Sequence, residues 1–193
     1  IAEAQGDLKE ARIRYEAAYD GYKREQDPYG KSNILTVLGR LERLEKQYQK
    51  AHAYLDSGIF LANSLRYFES MHKALAEKAQ LFLEEQKYKQ AIEVCNNTIL
   101  RDSNAITNQY LIKDLYLVES KSYEGLGYYK QAYESHLKYS ILNDTLFSRD
   151  KHKIISGLEI RHQSEQKETE NKYLKDQQRK SQMAINQRNI IIA

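Results

Sequence analysis

The chain has 193 residues, 41% hydrophobic and 30% charged, with 8 Gly, 1 Pro and a mean hydropathy of −0.78. A formal charge of +3 is too small for an electrostatic footprint on nucleic acid, and a single cysteine, Cys95, excludes an internal disulfide framework and any Cys-based zinc site. Abundant Lys, Glu, Gln, Ala and Leu with so few breakers predict an all-α chain of long helices and short turns, each helix pair burying one face.

In chain order, four short segments echo one another: Gly6-Asp7-Leu8-Lys9-Glu10-Ala11, Lys46-Gln47-Tyr48-Gln49-Lys50-Ala51, Gln86-Lys87-Tyr88-Lys89-Gln90-Ala91 and Gly127-Tyr128-Tyr129-Lys130-Gln131-Ala132. Each sets Leu or Tyr three residues ahead of an alanine, and the four alanines are spaced by 40, 40 and 41 residues. Such a constant period predicts a repeat architecture. A turn residue (Gly6, Gly127) ends one helix, the Leu or Tyr packs the corner, and the alanine marks where the second helix crosses the first closely. Four residues on, the same face carries Tyr15, Leu55, Cys95 and His136, followed three later by Ala18, Gly58, Thr98 and Tyr139. His136 is therefore expected on an inward face, and Cys95 is expected to be buried as a small hydrophobe. Of the 16 tyrosines, those at 15, 48, 88, 123, 129 and 139 fall at packing positions.

The preceding helices carry Leu35, Leu38, Gly39, Leu41 and Leu44; then Leu75, Ala79, Phe82 and Leu83; then Tyr116, Ser120, Tyr123 and Leu126. A small residue (Gly39, Ala79, Ser120) stands nine before each corner Tyr. These residues resemble the tetratricopeptide repeat (TPR) consensus, in which the first helix carries a small residue and the second Ala-x-x-x-aromatic. The best match is Tyr123-Glu124-Gly125-Leu126-Gly127-Tyr128-Tyr129-Lys130-Gln131-Ala132. The resemblance covers residues 1–145 and implies a TPR-like antiparallel helix-pair solenoid. It comprises a half repeat at 1–24 and repeats at about 32–65, 72–105 and 113–145. There is no Trp, the motif's terminal Pro is missing, and the period exceeds the usual 34 residues. The extra residues are expected in longer helices, or in loops at Glu25–Lys31, around Pro28, and at Arg101–Ala105.

Beyond Asp144, Leu146, Phe147, Ile154, Ile155 and Leu158 keep an apolar stripe able to cap the last repeat. From Glu159 to Arg188 apolar residues are sparse. Residues 151–189 hold nine Lys/Arg against five Asp/Glu. Glu168, Lys172, Asp176 and Lys180 form a ladder of alternating sign, with Arg161–Glu165 as a further pair. Residues 146–189 are read as a capping and stalk-like polar helix, 150–189 extending roughly 60 Å at 1.5 Å per residue. A heptad from Ile155 is apolar only at its start, so a homodimer through this helix would need its flanks to hold it together.

A TPR array, then Tyr-Ser-Ile-Leu-Asn-Asp-Thr-Leu-Phe (139–147), a polar helix and Gln-Arg-Asn-Ile-Ile-Ile (187–192) is similar to the TPR sensor regions of Bacteroidetes membrane regulators. In these, such a region precedes one transmembrane helix and a cytoplasmic histidine kinase or DNA-binding output. The resemblance implies a periplasmic TPR domain, a membrane anchor starting at 190–193 and a role in signal transduction. The bases Arg179, Lys180 and Arg188 instead favour the cytoplasmic side of a membrane. The alternative is a soluble cytoplasmic TPR adaptor or peptide-responsive regulator.

No chemistry-bearing pattern emerges. The five histidines (52, 72, 136, 152, 162) form no His-x-x-x-His and no cluster with Cys95, and no glycine-rich phosphate loop or Gly-x-Ser-x-Gly occurs. No catalytic residue, metal site or cofactor is expected. A TPR solenoid presents the first helix of each pair on its concave side, which implies a binding groove for a protein or peptide. Counted from the corner Tyr, its residues are Asn33, Thr36, Val37, Arg40 and Arg43, then Lys73, Glu77, Gln80 and Glu84, then Asp114, Leu117, Lys121 and Glu124. Chaperone-binding TPRs hold a terminal carboxylate with a Lys/Asn/Arg clamp. Glu77 and Asp114, which fall among the corresponding positions, would repel it.

Overall fold

The computed structural model describes residues 8–102 and 108–191, with side chains at 101–102, 176–177 and 181–191 left out of account. The described residues form seven helices: α1 (Leu8–Arg24), α2 (Pro28–Leu44), α3 (Tyr48–Ser64), α4 (Phe68–Glu84), α5 (Tyr88–Asp102), α6 (Gln109–Gly125) and α7 (Tyr129–Ile191). Gly6 and most of Arg101–Ala105 lie outside the described residues.

The turns explain the long period. Gln26, Lys46, Arg66 and Gln86 have φ of 54°, 60°, 58° and 60°, and Gly127 has φ 76°. Each is the left-handed residue just past a helix end. In the second turn Lys46 N–H donates to Arg43 O at 2.9 Å and Gln47 N–H to Glu42 O at 2.8 Å. This is the paired Schellman closure that satisfies a helix's last carbonyls. The same pair of bonds recurs after α3, α4 and α6. Helices of 17 residues joined by three-residue turns thus absorb the extra length. The loop expected at Glu25–Lys31 is correspondingly absent. Pro28 occupies the first position of α2, where it has no hydrogen bond to lose, and Asp27 caps the helix by accepting from Tyr29 N–H at 3.0 Å.

Residues 1–144 and 145–193 form two compact units. In the first, each helix from α1 to α5 packs on the next, α2 packs on α4 and α4 on α6. The described parts of α1, α3 and α5 make no such contact with one another. The first helices of successive pairs therefore draw together as an inner layer, while the second helices splay outside it.

The core follows the 40-residue pattern. Ala11, Ala51, Ala91 and Ala132 are all buried. A Cβ on Gly39 would stand 2.6 Å from Leu55 Cγ, and Ser120 Oγ donates to the Ala132 carbonyl at 2.9 Å, so the small residues do mark close helix crossings. The corner residues reach forward to the first helix of the next pair. Leu8 and Tyr15 pack with Ala11 and Leu41, Tyr48 packs with Ala51, Leu55 and Leu81, and the Tyr88 ring lies over Gly125. Ala91 and Cys95 of α5 are buried with Leu115 and Val118 of α6.

At α7 two expectations fail for one reason. Tyr129 is 73% exposed and His136 is exposed, its ring against Tyr139 at 5.6 Å. Both stand where α3 and α5 meet the next first helix, and α7 has no such helix to meet within residues 1–144. The buried polar position there is Ser135, whose Oγ donates to Glu119 at 2.8 Å.

In the second unit the described residues are a helix whose side chains are almost all exposed. Leu146 is buried, while Phe147, Ile154, Ile155 and Leu158 are exposed. Glu168, Lys172 and Lys180 are also exposed, and the side chain of Asp176 lies outside the described set. Among the described residues no helix is long and apolar enough to cross a membrane, and Ile192 and Ala193 fall beyond them.

Candidate interaction groove

The inner layer leaves a groove. Asn33, Thr36, Val37, Arg40 and Arg43 recur at helical spacing along one face of α2, so they look in the same direction. Lys73, Ala76, Glu77 and Gln80 of α4 face them, and Leu111, Asp114, Leu115, Leu117 and Val118 of α6 complete the lining of a cavity of about 620 Å3. That volume falls inside the roughly 300–1,000 Å3 of ordinary ligand sites. Three residues counted to the groove, Glu84, Lys121 and Glu124, are not among those lining it. Sequence counting also missed Ala76, Leu111, Leu115 and Val118, because small and aliphatic residues on a repeat helix read as core.

The charged residues of the groove are largely tied to one another or to neighbours. Arg43, whose side chain is 10% exposed, donates from Nη2 to Glu77 at 3.1 Å and from Nη1 to Glu84. Gln80 Nε2 donates to the same Glu84 oxygen at 3.1 Å. Lys73 pairs with Glu69 at 2.6 Å, and this hydrogen bond holds the Glu69 carboxyl below the usual range. Asp114 has Lys113 at 3.4 Å. Asn33 Oδ1 accepts from Ser70 Oγ at 2.9 Å and Thr36 Oγ1 donates to Ser32 O at 3.2 Å.

A second polar set recurs on the other side of the first helices. Arg12 of α1 reaches Glu42 and Glu45, each at 2.7 Å, and the hydrogen bond it donates to Glu42 is the main cause of an Arg12 pKa raised above its ordinary value. Forty residues on, His52 meets Glu85 at 2.7 Å. Burial opposes ionisation of Glu85 most strongly, but hydrogen bonds from Lys87 and His52 together outweigh it and hold the carboxyl below the usual range. Cys95 is fully buried, and burial followed by the charge of Glu119 pushes its thiol pKa up, which leaves it a packing group. Among the described residues no group of His, Cys, Asp and Glu could hold a metal ion.

No family model and no curated protein matches the sequence. Among solved structures, the chain is similar to the nearly identical TPR-like repeats of a Podosopora anserina protein described as a kinesin light chain, with a TM-score of 0.56. The fold is TPR-like. The match covers 75% of this chain and 71% of the other at 14% identity. The TPR-like array is built of consecutive helix pairs and is followed in the chain by the long C-terminal helix.

Proposed function

We propose that the groove between α2, α4 and α6 binds a segment of a partner protein or peptide. We further propose that the chain is the sensor or scaffold part of a membrane-anchored signalling protein, a two-component sensor kinase or a membrane-tethered transcriptional regulator. The observation that carries the groove reading is the convergence of ten residues, chosen by repeat position alone, on a single cavity. The anchored context is supported by the polar helix and by the apolar run at Ile190-Ile191-Ile192. On this reading the TPR-like array is periplasmic and the C-terminal helix relays its state. A ligand acts by binding one arrangement of that helix better than another, since only differential affinity shifts an equilibrium. The exposed Phe147, Ile154 and Leu158 lie on one face of the helix and are the surface through which two copies would pair.

Ala76→Trp tests the groove by filling it. Partner capture in a pull-down is expected to drop at least tenfold with the helix content unchanged, and capture at the wild-type level would remove the groove as the site. Arg179, Lys180 and Arg188 would put that flank on the cytoplasmic side of a membrane, against a periplasmic array, and the second reading is a soluble cytoplasmic adaptor. Fractionation of cells expressing the full-length protein separates the two. Recovery in the membrane pellet supports the anchored sensor, and recovery in the supernatant supports the adaptor.

A further inference from the structure

The groove carries Arg40, Arg43 and Lys73 beside Glu77 and Asp114, and the structure shows what its bases already hold. Arg43 is nine-tenths buried and already holds two carboxylates, Glu77 and Glu84, and Lys73 holds Glu69. Arg40 is likewise not without a partner. Glu77 and Asp114 line the same cavity. An incoming carboxylate would be the third on Arg43 and would meet Glu77 and Asp114 at close range, where like charges disfavour one another's ionised form. The rest of the lining is apolar: Val37, Ala76, Leu111, Leu115, Leu117 and Val118.

We propose that the groove selects an uncharged, apolar stretch of polypeptide, seated on the aliphatic floor, and discriminates against acidic segments. This rests on the groove reading and gives its ligand class. The Arg43–Glu77–Glu84 cluster then ties α2 to α4 and cancels the groove's positive charge, so it sets selectivity without grasping an acid.

A peptide array tests this with the whole chain. The probes are 12-residue peptides in matched pairs, one with an uncharged aliphatic centre and the other with two central residues replaced by Glu. Binding of the uncharged member is expected to exceed that of its acidic twin by at least tenfold. Equal binding, or preference for the acidic member, overturns the selectivity. The paired substitution Glu77→Gln with Glu84→Gln frees Arg43, and the acidic peptides are then expected to gain binding by at least fivefold. Failure to gain would overturn the role given to the cluster. Ala76→Trp separates the two levels of inference. If uncharged peptides bind it as well as the wild type, or if no peptide binds the wild type, the groove reading itself falls. If binding is lost in Ala76→Trp but the wild type prefers acidic peptides, only the ligand class is wrong.

Discussion

Gly39 and Gly21 are both helical glycines, yet their surroundings give opposite expectations for the same substitution. A methyl on Gly39 would press into Leu55, which is fully buried, whereas a methyl on Gly21 meets nothing within 4 Å. Alanine brings about 0.5–1 kcal/mol of helix preference at either position. Overpacking a close crossing costs roughly 1–3 kcal/mol. Gly39→Ala is therefore expected to lower the urea midpoint, and Gly21→Ala to leave it unchanged or raise it. Arg12 makes a different case. Glu42 is buried, Arg12 lies 2.7 Å from one of its oxygens, and the other oxygen has no partner. Arg12→Leu would strand that carboxylate. Breaking a buried pair costs about 3–5 kcal/mol, and about 2 kcal/mol is expected here because the Arg12 side chain is 26% exposed. The double variant Arg12→Leu with Glu42→Leu should recover most of the loss in the same unfolding measurement.

At the scale of the element, the turns and the 17-residue helices form one device. Left-handed residues at 26, 46, 66 and 86 stand 20 apart and reverse the chain, the last three closing Schellman pairs, so the helices on either side keep equal length. Four of these positions are filled by Gln, Lys, Arg and Gln, although a side chain costs about 1–2 kcal/mol there. Lys46→Gly and Gln86→Gly are each expected to raise the melting temperature of the array. The gain is a net of about 0.5 kcal/mol after the added freedom of the unfolded chain. Gly127→Ala should lower it by about 1 kcal/mol. The turns at Gln26 and Arg66 were hidden in the sequence because no glycine or corner motif marks them, and Pro28 pointed to a loop where the structure starts a helix.

The two units of the whole molecule have unlike sources of stability. Residues 1–144 bury alanines and leucines between successive pairs, whereas the described side chains from Glu159 onward are exposed. Backbone hydrogen bonds without buried side chains around them open readily. Hydrogen exchange is expected to show strong protection in α2 to α5 and fast exchange over 159–175. Comparable protection in both would mean that the C-terminal helix is covered in solution, as self-association would cover it.

The sequence alone determined the repeat and its inner face. Four alanines at near-constant spacing and a small residue nine before each corner Tyr report close crossings, which tolerate few side chains and so leave a mark in the residue types. Ten groove residues were legible for the same reason, since repeat position fixes helix face. Tertiary structure alone decided the rest. The exposure of Tyr129 and His136 depends on whether another helix follows, which repeat spacing does not encode. The aliphatic floor of the groove reads as core until the inner helices are placed side by side. Arg43 reads as a free cation until Glu77 and Glu84, 34 and 41 residues away in sequence, are seen to hold it. Charge pairing across helices depends on distance in space, and distance is set by packing.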